Sequence, residues 1–246
     1  MFSALQVIPV LLCCTLGEAI TGGSRAAVSD FPYQISIWDS IGHPFCGGAI
    51  ISSRWIITSA TCAKVLENQF DGKIADGTPD ASKPRTIRAI SEKVIHPDYN
   101  SPPGNANIAL IKVATDFYFD FYTQAVTFNN KTSPVPGDEG FVAGWGALHY
   151  NGPDSDELMY ARMTVIEHSE CKASLEGNYQ LNADQFCAGQ IGAGISTCTR
   201  DSGSPMTADN VLIGLVANNY CSYNGFPTPF TKVGHYRDWI LSVAGV

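Results

Sequence analysis

Short runs rich in β-branched and aromatic residues, divided by turn-forming Gly, Pro, Asn and Asp, recur along most of this 246-residue chain. They fall at 33–38, 49–51, 56–59, 87–95, 108–113, 141–143, 159–166, 211–216 and 229–233. Segments this short suit strands rather than three-turn helices, so the pattern predicts an all-β fold. The exception is the C-terminus, where Tyr236, Trp239, Ile240 and Val243 recur at helical spacing and give one apolar stripe. A shorter helix is expected to start near Ser169, with that residue as N-cap before Glu170 and Cys171. The stretch 123–138, holding Asn129, Asn130, Pro134, Pro136 and Gly137, reads as a linker between two β units.

Residues 1–19 read as a secretory signal: the apolar run at 5–16 is too short to span a bilayer, and Gly17 and Ala19 are small residues at a cleavable spacing. Eight cysteines are present, and Cys13 and Cys14 leave with that segment, so six remain as an even set in a secreted chain. Six cysteines allow fifteen pairings, and spacing alone does not choose among them. Metal ligation is a poor fit because no two-residue cysteine spacing or histidine pair is present. A formal charge of −8 works against binding to nucleic acid or an anionic membrane, and leaves proteins as the expected partners. The sequon at Asn130 is a glycosylation candidate, and no cofactor motif is present.

Five segments in order carry chemistry. They are Ile20-Thr21-Gly22-Gly23, Cys46-Gly47-Gly48 through Trp55 to Cys62, Asn107-Ile108-Ala109-Leu110, Gly144-Trp145-Gly146, and Asp201-Ser202-Gly203-Ser204-Pro205. Together they resemble the chymotrypsin/trypsin family of serine proteases. The resemblance implies two six-stranded antiparallel β-barrels, the first at about 20–125 and the second at about 126–233. A C-terminal helix at about 234–245 and a cleft between the barrels complete the implied fold. It also implies the disulfides Cys46–Cys62, Cys171–Cys187 and Cys198–Cys221, and an ion pair between the amine of a processed Ile20 and Asp201. A narrower likeness, carried by 31–36 and 233–240, is to mite group 3 allergen proteases and to the inactivated protease paralogues of scabies mites.

Measured against that family, the catalytic positions are altered. Ser202 is kept as nucleophile, but Thr61 stands where the family has its histidine and Asn107 where it has its aspartate. A threonine hydroxyl is not basic enough to take a proton from serine at neutral pH, and an amide cannot stabilise an imidazolium. His43, His96, His149, His168 and His235 all lie outside the motifs. Arg200 occupies the oxyanion-hole glycine position, where it is expected to crowd the approach. Ser196, Asn219 and Thr228 occupy the specificity-pocket positions: Asn219 and Thr228 replace glycines and are expected to fill the pocket, Ser196 at its floor offers no carboxylate to a basic substrate residue, and Asn218 replaces a tryptophan beside them. Loss of the histidine alone lowers the rate by about a million-fold in such enzymes. The reading is therefore of a chain that is not an enzyme: a secreted homologue that acts by binding protein and interferes with a host cascade such as complement or another plasma pathway. The alternative is an atypical hydrolase that uses Ser202; a substrate decoy and a cascade cofactor are further variants.

Overall fold

The computed structural model describes residues 20, 22–67, 71–100, 104–128, 133–192, 194–221 and 225–246. The proposed signal segment and Asn130 lie outside the described residues.

Strands β2 (Gln34–Trp38), β3 (Pro44–Ile50), β4 (Trp55–Thr58), β5 (Lys73–Asp76), β6 (Thr86–Ile95) and β7 (Ala109–Val113) close into a barrel in the order β2-β3-β4-β7-β6-β5. Ile35, Ile37, Ile50, Ile56, Ile74 and Ile111 are fully buried inside it. Each such isoleucine contributes about 2 kcal/mol over an exposed one, so this ring accounts for the barrel's cohesion.

The second barrel uses β9 (Glu139–Gly144), β10 (Met159–Ile166), β11 (Gln185–Ala188), β12 (Pro205–Ala208), β13 (Val211–Val216) and β14 (Thr228–Lys232). Pairing of β9 with both β10 and β12 closes the ring. Alternation along β10 sends Met159, Ala161, Met163 and Val165 inward, as a strand period of two requires. Two strands lie outside the rings: β1 (Ser24–Arg25) pairs with β10, and β8 (Thr127–Phe128), within the inter-barrel connection, runs parallel to β13.

Among the described residues three α-helices complete the fold: α1 (Ala60–Glu67), α2 (His168–Ser174) and α3 (Arg237–Ala244). A 3-10 turn at Val233–Tyr236 leads into α3, whose Trp239, Ile240 and Val243 pack on a cluster shared by both barrels and including Tyr33, Trp55 and Trp145. The C-terminal stripe is thus used as its spacing implies. The cap expected at Ser169 is corrected: α2 begins at His168, its N-cap is Glu167, and no side chain caps it. All three disulfides implied by the family likeness are formed.

Candidate active site between the barrels

The first barrel delivers Thr61 at the start of α1 and Asn107 just before β7, and the second delivers Ser202 in the loop before β12. The barrels meet directly behind the serine, where the N–H of Gly47 in β3 donates to the Ser202 carbonyl at 2.9 Å. The turn is completed by Gly203 at φ +78°, a conformation that strongly favours glycine; a side chain there would overlap the Thr58 hydroxyl.

Asn107 is buried and fully engaged. Its Oδ1 accepts the backbone N–H of Thr61 at 3.0 Å, and its Nδ2 donates to the carbonyl of Ala217 at 3.2 Å. The amide therefore ties the two barrels together. The Thr61 hydroxyl pairs with Ser59 at 2.8 Å and makes no contact with Ser202. Ser202 Oγ instead accepts a hydrogen bond from Asn219 Nδ2 at 2.8 Å. That bond engages an oxygen lone pair, the electrons a nucleophile needs, and leaves its proton in place. Among the described residues no histidine is hydrogen-bonded to Ser202. His96 packs edge-on against Tyr236 and Trp239, and burial holds its pKa below the usual imidazole value.

Two of the specificity positions, Ser196 and Thr228, each hydrogen-bond to Thr197. Ser196, Thr197 and Thr228 are fully buried; Thr228 Oγ1 accepts the N–H of Thr197 at 3.1 Å and lies 3.2 Å from its hydroxyl. Asn219 Oδ1 is buried without a hydrogen-bond partner, so this side chain is held by its single bond to the serine. Beside it an opening of about 340 Å³ is lined by Thr199, Asn219, Tyr220 and Asp154 among others.

Arg200 takes φ +77°, a left-handed conformation unusual for a residue with a Cβ. Its guanidinium is drawn to Asp154 at 2.8 Å. Nothing in the sequence signalled Asp154, which is 46 residues away in the chain. The bond from Asn219 to Ser202 was likewise missed, because Asn219 reads from sequence as a pocket residue only.

Asp201 is completely buried, and desolvation pushes its pKa up to about 7 against the pull of N–H groups from Cys198 and Gly146, each at 2.9 Å. In the full chain Ile20 follows Ala19 and its nitrogen is a peptide amide; the ion pair with Asp201 belongs to a chain processed to begin at Ile20. Its side chain is fully buried in the second-barrel cluster.

Residues 20–240 match the Trypsin family. The chain is 33% identical to ovochymase of Halocynthia roretzi over 92% of its own length but only 15% of that protein's. It is 31% identical to trypsin-3 of Homo sapiens (91% of this chain, 72% of the relative) and 31% identical to trypsin delta of Drosophila melanogaster (96% and 93%). These matches correct the expectation that the chain is not an enzyme: the matching family is an enzymatic one, and relatives that cover nearly the whole chain bear the name trypsin. The altered residues at 61 and 107 describe the local chemistry of one site, and on their own they do not remove the chain from an enzyme class.

Proposed function

The chain belongs to the trypsin family, and from that premise we propose that it is a secreted trypsin-family protein working chiefly through recognition of a protein partner. Its hydrolase chemistry rests on Ser202 without imidazole assistance. One observation carries this reading: the serine oxygen accepts from Asn219, while the hydroxyl at position 61 is turned to Ser59. With no base in contact, attack by Ser202 is slow, on the order of a million-fold below a complete triad. The engaged hydroxyls of Thr197 and Thr228 also leave a substrate side chain few polar groups to meet in the pocket.

Three disulfides favour an oxidising, extracellular setting. No helix among the described residues is long and apolar enough to cross a membrane. The likeness of 31–36 and 233–240 to mite group 3 proteases and scabies mite paralogues supports a host plasma cascade, complement first, as the setting of the partner. Purified protein added to complement and clotting assays tests this. Inhibition is expected, and Ser202→Ala should inhibit equally, because binding does not need the nucleophile. Absence of any pathway effect, or its disappearance with Ser202→Ala, would overturn the reading.

A further inference from the structure

A second hollow, of about 490 Å³, opens between the barrels, and none of Thr61, Asn107, Ser202 or Asn219 lines it. Its walls are aromatic: Phe31 and Tyr33 come from the first barrel, Phe141 and Tyr160 from the second. Phe31 stands 6.2 Å from Tyr33 and 5.6 Å from Tyr160, and Phe141 stands 6.0 Å from Tyr160, measured between ring centres. The Tyr33 hydroxyl is paired with Thr207 Oγ1 at 2.9 Å, which satisfies its polar tip and fixes the ring across the junction of the barrels. Phe141 points outward from β9 between the buried Gly140 and Val142 and is 41% exposed.

The rim is acidic. Asp209 and Asn210 form the two-residue turn between β12 and β13, both at positive φ (50° and 61°), a rigid hairpin geometry that holds the Asp209 carboxylate at the mouth. Asp30 stands on the other side, with its Oδ2 accepting the N–H of Ala27 at 3.0 Å. No lysine or arginine lines the hollow. Arg162, opposite Phe141, is ion-paired to Glu139, and Arg25, next to the residue opposite Tyr160, is ion-paired to Glu157.

Aromatic faces attract cations through their quadrupole, more strongly where water is displaced. Carboxylates at the mouth reject anions, and an uncharged apolar guest would leave them desolvated without compensation. A guanidinium satisfies both demands, because its plane stacks on rings while its N–H groups reach a carboxylate. We propose that this hollow is a binding site for an arginine side chain presented by the partner protein. The proposal rests on the protein-recognition reading for the source of that side chain; the hollow itself can be tested without any partner.

The experiment titrates the full disulfide-bonded protein with N-acetyl-arginine methylamide, followed by NMR chemical shifts, with the citrulline and lysine counterparts in parallel. Citrulline keeps the shape and loses the charge. Saturable arginine binding is expected, with citrulline at least tenfold weaker and lysine intermediate. Phe141→Ala and Asp209→Asn should each weaken arginine binding at least threefold, while Ser202→Ala should leave it unchanged. Asp209 lies on an exposed turn, so its variant keeps the test valid should Phe141→Ala unfold. Equal binding of citrulline, absence of saturation, or unchanged affinity in Asp209→Asn would overturn the proposal. Because the probe needs no cascade protein, such a failure leaves the complement and clotting result standing, and the reverse also holds.

Discussion

Around Asp201 the second barrel has no room beyond glycine, whereas at Arg200, Asn219 and Thr228 the cleft has taken in side chains where the family likeness leads one to expect glycine. A Cβ on Gly144 or Gly146 would overlap the Asp201 carboxylate. At the cleft, Arg200, Asn219 and Thr228 are accommodated by new partners: Asp154, Ser202 and Thr197. The difference teaches where the constraint lies. A buried carboxylate with two backbone donors admits no displacement, while a cleft open to solvent can fill itself with its own side chains.

The sharpest way to break this comparison is to place an alanine on each side of it. Gly146→Ala should destabilise by about 3 kcal/mol or more in urea unfolding, because the added Cβ overpacks against the Asp201 carboxylate and pushes it off the N–H of residue 146. Asn219→Ala should stay within about 1 kcal/mol of the parent, since it leaves solvent-facing space and one neutral hydrogen bond unmade. Equal effects at the two sites would dissolve the distinction.

Asp201 also gives the scaffold side a pH signature. Its carboxyl titrates near 3.8 when free and at about 7 in the fold, so the folded state holds the extra proton between those values. Stability should be greatest below about pH 4 and should fall as pH rises to about 7, by up to about 4 kcal/mol from this group. Asp201→Asn should flatten that slope in unfolding experiments from pH 4 to pH 8. A slope of the same size in the variant would assign the effect elsewhere.

Smaller effects belong to the cleft. Arg200→Gly relieves a left-handed backbone cost of about 1–2 kcal/mol and loses a half-exposed ion pair of at most about 1 kcal/mol. The net expectation is stabilisation by about 0.5–1 kcal/mol; a clear loss of stability would show that the ion pair outweighs the strain. Asn219→Gly frees the serine oxygen from one hydrogen bond of about 1 kcal/mol and should raise labelling of Ser202 by a fluorophosphonate about fivefold. Unchanged labelling would mean that the bond does not restrain the nucleophile.

Much of the fold was legible because alternation along 159–166 and the stripe of Trp239, Ile240 and Val243 repeat at their structural periods. The four-residue strands at Lys73–Asp76, Gln185–Ala188 and Pro205–Ala208 were not, since each holds at most one β-branched residue, against three in the equally short Trp55–Thr58. Helix α1 was hidden in the same way, its inward face made mostly of small residues at 60 and 63. At the site, the residue types at 61, 107 and 202 were readable, and the structure brings them to one cleft. Which partners those side chains take was not readable, because Asp154 meets Arg200 and Asn219 meets Ser202 only through the folding of separate loops. The step from altered residues to the absence of an enzyme reached further than the residues allowed, and family membership corrects it.

The most direct measurement of the central claim is the pH profile of fluorophosphonate labelling at Ser202. A serine with a histidine base gains rate with an inflection near the imidazole pKa of about 6.5 and then levels off. Ser202, whose Oγ is hydrogen-bonded by Asn219 and by no histidine among the described residues, should react slowly and with a rate still rising in proportion to hydroxide through pH 9, without a plateau. A plateau above pH 7 that vanishes with Ser202→Ala would contradict the account and show that a base reaches this oxygen.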